Sequence, residues 1–267
     1  MRANSRSVVS QPVLLRDESG GVVTLTLNRP AQFNALSKEL LGELQAALET
    51  MAVDEGARVV VIAGAGKAFC AGHDLKEMRA NPAKEFQQSL FDQCSRVMMT
   101  LTEMPQPVIA RVHGIATAAG CQLVAMCDLA VASEDARFAV SGINVGLFCS
   151  TPSVGLARNV GRKQAMEMLL TGDFIDAQTA LERGLVNRVV PADQLDAEVK
   201  KLTDAILSKS AVAIKSGKQM FYRQLQLGLA DAYALASEVI ASDMMTEDAQ
   251  EGIDAFIQKR PPQWRGR

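Results

Sequence analysis

Two turns built from small residues could present backbone N–H groups to a ligand, and each follows a strand predicted to be buried. The first turn spans residues 64–74 and the second spans residues 114–120. A backbone without bulky side chains can approach another molecule closely, and the first N–H groups of the helix that follows have no partner inside that helix. Such donors stabilise an oxyanion. Two turns of this kind could supply both donors of one oxyanion hole.

The small residues of the second turn also have an explanation without chemistry. Ala118, Ala119 and Gly120 are as small as residues must be where a helix packs tightly on a sheet. The first turn repeats the same order of apolar strand, small residues and helix. This repetition favours the functional interpretation over packing alone.

Hydrophobic periodicity predicts the elements that position these turns. Strands are predicted at residues 22–27, 58–63, 107–112, 129–132 and 137–140, and residues 184–190 are predicted to be a turn that leads into a last strand. Helices are predicted at residues 37–52, 82–104, 161–171 and 176–181, whereas residues 142–153 are predicted to be irregular. Residues 122–128 have the composition of a packed helix, which is expected to begin near Ala118. Ser37 is expected to cap the first of these helices. Strands that alternate with helices indicate an α/β protein with a parallel sheet.

Three regions are expected along the chain. Residues 1–16 are polar and are predicted to be a flexible tail, and residues 17–195 are predicted to form the α/β core. In residues 196–267 the β-branched runs and glycine turns disappear, which predicts an all-helical region. The many apolar residues of this region need burial, either against the core or between subunits.

Composition limits the partners and the compartment. The 267-residue chain has a net charge of -2 and no basic cluster, which argues against a nucleic-acid surface. It has no apolar run of ~20 residues, so no membrane span is expected. Its first residues lack the apolar stretch of a secretory signal. The five cysteines form no CxxC pair, which predicts free thiols, no metal site and a reducing, cytoplasmic location.

Six segments, in order along the chain, match the motifs of a known family. They are LTLNRPAQFNAL from residue 25, AFCAGHDLKEM from 68, PVIARVHGIATAAGCQLVAMCDLAVAS from 107, ARFAVSGINVGLFCSTPSVG from 136, LLTGDFIDAQTALERGLVNRVVP from 169 and EGIDAFIQKRPPQW from 251. Over nearly its whole length the chain resembles the crotonase family, also called the enoyl-CoA hydratase/isomerase family. The resemblance implies a core built as a spiral of ββα turns and a C-terminal helical region that mediates trimers and dimers of trimers.

The resemblance also implies a substrate and a mechanism. The substrate is an acyl-CoA or enoyl-CoA thioester, so that coenzyme A is part of the substrate and no other cofactor is expected. The N–H groups of His73 and Ala119 take the positions of the two donors that bind the thioester oxygen. Because the backbone does this work, the imidazole of His73 need not take part, and it also fits a partly exposed loop histidine. His113 is interpreted as a hydrogen-bonded core residue.

Further positions correspond to the family's substrate-binding segments. The resemblance places an adenine pocket at Ala35 and Leu36, and it places Phe256 beside the acyl or pantetheine channel. Lys76 and Lys259 fall where the family approaches the nucleotide phosphates, although each lysine alone would be interpreted as a solvated surface charge. The residues around the two donors complete the set: Ala71, Gly72, Asp74, Leu75 and Gly120.

The chain departs from true hydratases at the acid–base positions. Hydration of an enoyl thioester uses two glutamates, and this sequence has Gln122 and Gly142 in their places. A glutamine can hold a water molecule but cannot accept its proton. Cys149 stands where the naphthoate-synthase branch has an aspartate, and there a bound anion can act as base. A thiol there could act as acid or nucleophile, but no neighbouring cation is expected to lower its pKa. Cys149 also fits a small buried residue that lines the pocket.

Three functions therefore remain open from the sequence. The first is hydratase/isomerase-class chemistry with a thioester enolate in the oxyanion hole. The second is another crotonase reaction, which could be anion-assisted, an isomerisation or a thioester hydrolysis. The third is acyl-CoA binding without catalysis.

Overall fold

The computed structural model describes residues 11–267, and it corrects the predicted N-terminal tail. Most of that tail lies outside the described residues. The first strand, β1, spans Leu14–Ser19, so the predicted tail is wrong at residues 14–16. These residues are ordered because β1 pairs antiparallel with the next strand, with Leu14 opposite Leu27.

Two sheets organise the α/β part of the chain. The larger has six strands in the order β1-β2-β3-β4-β6-β9, and all of its pairs after the first are parallel. The smaller contains β5, β7 and β8. The strands after β1 are β2 Val22–Leu27, β3 Val59–Gly64, β4 Val108–Val112, β5 Ile115–Thr117, β6 Leu129–Ser133, β7 Arg137–Ala139, β8 Ile175–Asp176 and β9 Arg188–Val190.

Eleven α-helices occur in residues 11–267. They are α1 Lys38–Ala52, α2 Leu75–Ala80, α3 Lys84–Glu103, α4 Ala119–Met126, α5 Ser150–Asn159, α6 Arg162–Thr171, α7 Ala177–Glu182, α8 Leu195–Leu207, α9 Ala211–Gln224, α10 Leu229–Asp243 and α11 Glu247–Ile257. Short 3-10 helices lie at Pro30–Gln32, Ser141–Val145 and Ala192–Gln194. The α/β prediction and the predicted C-terminal helical region are both confirmed.

Local signals explain most of these helices and one of the errors. Ser37 caps α1 as predicted, because its side chain accepts a hydrogen bond from the N–H of Leu40. Asp176 caps α7 in the same way through the N–H of Thr179. Helix α5 was not predicted, since Pro152 interrupts the pattern. Pro152 lies in the first turn of α5, where a missing backbone N–H is tolerated.

Each face of the large sheet is buried against helices. Along β3, Val60 and Ile62 point into the main core, whereas Val59 and Val61 point to the other face. This alternation follows from the two-residue repeat of a strand. The second face is covered by Leu195 of α8 and its neighbours. The predicted boundary near residue 195 therefore coincides with the start of α8, but α8 packs on the sheet.

Helices α9–α11 keep much of their apolar surface exposed. Their exposed large apolar side chains are Phe221, Leu225, Leu229, Tyr233, Ile240, Met244, Ile253, Phe256 and Ile257. Within a single chain these side chains remain uncovered, and the sequence analysis expected that one layer of helices could not bury them all. No helix in the described part of the chain combines the length and the apolar character that crossing a membrane requires.

A buried ion pair fixes α9 to the core. The Nζ atom of Lys218 lies 2.8 Å from Oδ2 of Asp128 and also donates to the carbonyl oxygens of Leu101 and Gln106, each at 2.7 Å. The hydroxyl of Tyr222 donates to the other oxygen of Asp128 at 2.8 Å. Asp128 follows α4, so this cluster ties the C-terminal helices to the element that carries the second turn.

Candidate active site

The two small-residue turns lie side by side because Cys70 of the first turn pairs with the second turn through backbone hydrogen bonds, in the manner of a parallel strand. The N–H of Cys70 donates to the carbonyl of Ile115 at 3.0 Å, and the N–H of Thr117 donates to the carbonyl of Cys70 at 3.0 Å. These bonds form a parallel bridge between Cys70 and Ala116. His73 and Ala119 each lie three residues beyond that bridge. The two predicted donors therefore follow the bridge at the same spacing along two adjacent segments.

Close approach at Gly72 brings the first turn directly onto the second. Gly72 has φ +90°, and a Cβ atom added there would lie 2.9 Å from Cβ of Ala118 and 3.3 Å from the backbone nitrogen of Ala119. A side chain at this position would collide with Ala118 and also strain the backbone. Residue 72 must therefore be glycine for the two turns to meet.

The direction of the His73 N–H follows from its pairing with Leu36. The N–H of Leu36 donates to the carbonyl of Gly72 at 2.7 Å, and the N–H of Asp74 donates to the carbonyl of Leu36 at 3.2 Å. In such a parallel bridge the N–H of the middle residue points away from the partner strand. Within residues 11–267, neither the N–H of His73 nor that of Ala119 donates to a backbone carbonyl.

Helix α4 begins at Ala119 through a strained turn. Ala118 has φ 49° and ψ -119°, a conformation that costs a non-glycine residue about 1–3 kcal/mol. Its N–H donates to the carbonyl of Ala139 in β7 at 3.0 Å, which helps to hold this conformation. Strain of this kind at the first N–H groups of a helix is a common feature of ligand sites. The helix was predicted to start near Ala118 and does so, although it ends at Met126, before the predicted end.

The side chain of His73 is enclosed beside the first donor. Its ring packs edge-on against Phe91 of α3, with the ring centroids 5.2 Å apart. Both ring nitrogens are buried and have no hydrogen-bond partner among the described residues. Burial lowers the pKa of His73 from 6.5 to about 4. The imidazole is therefore neutral at physiological pH, and the residue as a whole is partly exposed, as predicted, although its ring nitrogens are buried.

This lowered pKa predicts a pH-dependent stability. Between pH 6.5 and about 4 the unfolded chain binds more protons at His73 than the folded chain does. The contribution of neutral His73 to the free energy of unfolding is therefore fully present above pH 6.5. It is lost as pH falls through about 4, with a total loss of about 3 kcal/mol. The variant His73→Phe should lack this contribution. Urea unfolding of both proteins across this window measures it, and a constant difference in unfolding free energy would contradict the assignment.

Gln122 is enclosed one turn into α4. Its side chain is 5% exposed, and its N–H donates to the carbonyl of Ala118 at 3.0 Å. The side-chain Oε1 is buried and has no partner among the described residues. A buried acceptor without a partner is costly, and a bound water or substrate donor would satisfy it. This position therefore suits holding a donor, as the sequence indicated.

Gly142 and Cys149 are in direct contact. The N–H of Gly142 donates to Sγ of Cys149 at 3.2 Å. A Cβ atom at residue 142 would lie 2.7 Å from that sulfur and 2.7 Å from the carbonyl oxygen of Leu147. The space that a glutamate would need at this position is thus filled. Burial raises the pKa of the Cys149 thiol, which opposes a role as a thiolate nucleophile.

The residues predicted to form an adenine pocket lie next to the first turn. Ala35 and Leu36 are buried, and Leu36 forms the bridge to His73. The backbone N–H of Ala71 donates to the carbonyl of Phe33 at 3.0 Å. This part of the predicted site is therefore brought together within one chain.

Helix α2 starts directly after the first donor. Asp74 caps it, because its Oδ1 accepts from the N–H groups of Lys76 and Glu77. Leu75 and Lys76 are exposed at its first turn, where a cation can meet a phosphate in solvent. Gly120, in contrast, lies where any side chain would overlap the carbonyl oxygen of Cys70, which supports the packing explanation for that residue.

Phe256 and Lys259 belong to a different part of the chain. Phe256 is 85% exposed on α11, where it lines an apolar cavity of about 380 Å³ together with Met244 and Trp264. Lys259 is exposed just beyond the helix and has φ 54°. Helix α11 packs against α9. Their predicted roles near the acyl channel and the nucleotide stay predictions.

Sequence reasoning assigned no role to several polar residues around the site. The hydroxyls of Thr117 and Ser141 lie 2.8 Å apart and join the second turn to the 3-10 helix that contains Gly142. Asn34 and Arg29 bind the loop that carries His73. Only one signal was available for Asn34, a polar residue inside the otherwise apolar FNAL segment.

Comparisons with known proteins find close relatives. A sequence profile described as enoyl-CoA hydratase/isomerase matches residues 17–267. A Xenopus laevis protein named enoyl-CoA hydratase domain-containing protein 3, mitochondrial, is 46% identical over 253 residues, which cover 95% of this chain and 86% of the relative. A crystal structure of a Mycobacterium smegmatis enoyl-CoA hydratase is 58% identical with a TM-score of 0.94, covering 95% and 99% of the two chains. A crystal structure of human enoyl-CoA hydratase domain-containing protein 3 is 44% identical with a TM-score of 0.92. The match covers 95% of this chain and 100% of the human chain.

These names correct the predicted compartment. The frog protein and its human counterpart, each 46% identical to this chain, are named as mitochondrial proteins. By this finding the predicted cytoplasmic location is wrong. The prediction rested on free cysteines, and all five are free and buried. Free thiols indicate a reducing environment, but they do not identify which reducing compartment holds the protein.

Proposed function

The chain belongs to the enoyl-CoA hydratase/isomerase family, the crotonases, and we propose that it binds a CoA thioester and stabilises the thioester enolate between the N–H groups of His73 and Ala119. The observation that carries this proposal is the Cys70–Ala116 bridge, which pairs the two turns three residues before each proposed donor. Both donors lack a backbone partner in the described residues. In comparable sites each donor contributes about 3 kcal/mol to the transition state.

The proposed chemistry begins at the α-carbon of the acyl group. When its proton leaves, the electron pair moves onto the thioester oxygen, and the two N–H groups bind the resulting negative charge. The charge is stabilised before any second step occurs. Protonation of this enolate at the γ-carbon shifts the double bond of an unsaturated acyl group. In a hydration the enolate forms instead when water adds to the β-carbon and gives up a proton, and protonation of the α-carbon completes the reaction. In a hydrolysis water adds to the thioester carbon and gives up a proton, and the two N–H groups bind the tetrahedral oxyanion until the thiolate leaves and is protonated.

The proton transfers cannot follow the two-glutamate scheme. Gln122 offers an acceptor that can orient a water molecule but cannot take its proton, and residue 142 has no side chain. We therefore propose that the base is supplied by water, by a bound anion or by the substrate itself. Efficient hydration of crotonyl-CoA is not expected, since loss of each carboxylate costs about 10²–10⁴-fold.

Nucleotide recognition and assembly complete the proposal. The exposed Lys76, one turn from the first donor, is proposed to meet the phosphates of CoA, and Lys259 is proposed to do the same. The exposed apolar faces of α9–α11 support a homotrimer or a dimer of trimers in which these faces are buried. In such an assembly, residues such as Phe256 would lie at or near subunit contacts.

Acyl-CoA binding without catalysis is the second candidate. It is favoured by one observation. The sulfur of Cys149 and the carbonyl oxygen of Leu147 fill the space that a carboxylate side chain at residue 142 would need. Such a protein would retain the thioester pocket and lack any group able to move a proton.

A panel of CoA thioesters tests the proposal. Saturated, α,β-unsaturated, β,γ-unsaturated and β-hydroxy thioesters would each be assayed for binding by calorimetry and for turnover by mass spectrometry. We expect binding of several members and turnover of at least one, with the product identifying the reaction. Binding without any turnover would support the second candidate. If none of the thioesters binds, both candidate functions are rejected.

A further inference from the structure

A buried asparagine binds the loop that carries the first donor. Asn34 is fully buried, and its Nδ2 donates to the carbonyl oxygens of Ala65, Ala68 and Phe69 at 2.8, 2.7 and 3.2 Å. Its Oδ1 accepts from the N–H of Arg29 at 2.9 Å. Asn34 also has φ 56°, which asparagine tolerates better than most residues. One side chain thus joins three carbonyls of the first turn to the preceding segment.

A partly buried ion pair makes a second connection between the same two segments. Nη2 of Arg29 lies 2.8 Å from Oδ2 of Asp74, and Nη1 donates to the carbonyl of Ala35 at 2.5 Å. The other oxygen of Asp74 caps α2. Nearby Arg29 helps to hold the pKa of Asp74 below its usual value, against the opposing effect of burial. The guanidinium fork therefore links residue 35 to the residue that follows His73.

Together these contacts surround His73 but leave its N–H free. Residues 65, 68, 69, 71, 72 and 74 each bond to the segment 29–36 through backbone or side-chain atoms. The N–H of His73 donates to no backbone carbonyl in the described residues. A donor that is rigidly held and unpaired before the substrate arrives needs no reorganisation during the reaction.

We propose that Asn34 and Arg29 are positioning residues, which hold the loop at residues 65–74 so that the N–H of His73 faces the same point as the N–H of Ala119. This inference rests on the proposed oxyanion hole. It assigns a purpose to two polar residues that do not themselves touch the thioester. Losing them would loosen one donor while leaving the other in place.

The direct measurement is the carbonyl stretching frequency of bound crotonyl-CoA, labelled with ¹³C at the thioester carbon. A carbonyl held by two donors is polarised, so its frequency falls relative to free crotonyl-CoA. Spectra recorded at saturating protein report the bound state only and do not depend on affinity. The variants are Asn34→Ala, Arg29→Met and the conservative Arg29→Lys. Arg183→Met is the matched control, because Arg183 is paired with Glu167 and its side chain is 17% exposed, against 18% for Arg29.

We expect the wild type and Arg183→Met to show the full downward shift, and Asn34→Ala and Arg29→Met to lose half of it or more. Arg29→Lys keeps the charge beside Asp74 and should lie between. If Asn34→Ala does not fold, the two Arg29 variants carry the test. A full shift in the Arg29 variants would overturn the positioning role alone. No shift in the wild type would reject the oxyanion hole itself.

Discussion

Replacing Ala119 with proline should lower turnover of the thioester that proves to be the substrate by about 10²–10³-fold, which corresponds to losing one oxyanion donor. Proline has no N–H, and its ring carbon would occupy the space in front of that nitrogen. Ala119 is the first residue of α4, the helical position that accepts proline best. Ala118 before it has φ 49° and ψ -119°, which a residue preceding proline does not favour, so the loss counts against the transition state only if urea unfolding shows the variant to be as stable as the wild type. Steady-state kinetics and the carbonyl frequency of bound crotonyl-CoA measure it.

The matched control for this variant is Ala211→Pro. Ala211 is also an alanine at the first position of a helix, α9, and its N–H donates to no backbone carbonyl in the described residues. Proline there tests the backbone cost without touching either small-residue turn. Turnover in Ala119→Pro within about threefold of the control would be incompatible with a donor worth several kcal/mol.

Replacing Lys218 with methionine should lower the free energy of unfolding by about 3–5 kcal/mol. The Lys218 side chain is 6% exposed and its ammonium group has three partners, so its loss leaves the largely buried carboxylate of Asp128 without a counter-ion. Burial already lowers the pKa of Lys218, which shows that its charge is held at a cost. Urea unfolding at one fixed protein concentration measures the change, since assembly would otherwise alter apparent stability.

Two further variants separate the causes. Lys218→Met combined with Asp128→Asn removes both charges and should recover part of the loss. Lys200→Met breaks an exposed pair with Asp204 and should change stability by less than about 1 kcal/mol. Equal effects of Lys218→Met and Lys200→Met would mean that the buried pair does not anchor α9.

The sequence predicted the elements well where the signal was local. The cap at Ser37, the apolar runs of β2, β3 and β4 and the start of α4 each depend on a few adjacent residues. Residues 14–16 and α5 were missed for different reasons. β1 is stabilised by its partner strand β2, and the polar first turn of α5 contains Pro152.

The site was predictable only in part. The resemblance to the family's motifs indicated His73 and Ala119 as donors, and this assignment stays a prediction. The contact between Gly142 and Cys149 was not predictable, since it depends on the path of an irregular segment. Asn34 was missed because its three carbonyl partners lie 31 or more residues away, and a buried amide gives no sign of its partners in a sequence.

The crowding around Gly142 has a consequence for how this branch of the family can change. At Gln122 a carboxylate differs from the present amide by one atom of similar size. At residue 142 any side chain meets both the sulfur of Cys149 and the main-chain oxygen of Leu147, and removing the sulfur leaves the oxygen in place. A descendant of this protein could therefore gain a carboxylate at residue 122 in one mutational step. A carboxylate at residue 142 would require the polypeptide around residues 142–149 to be rebuilt first, so the two positions differ in how readily they can become acidic.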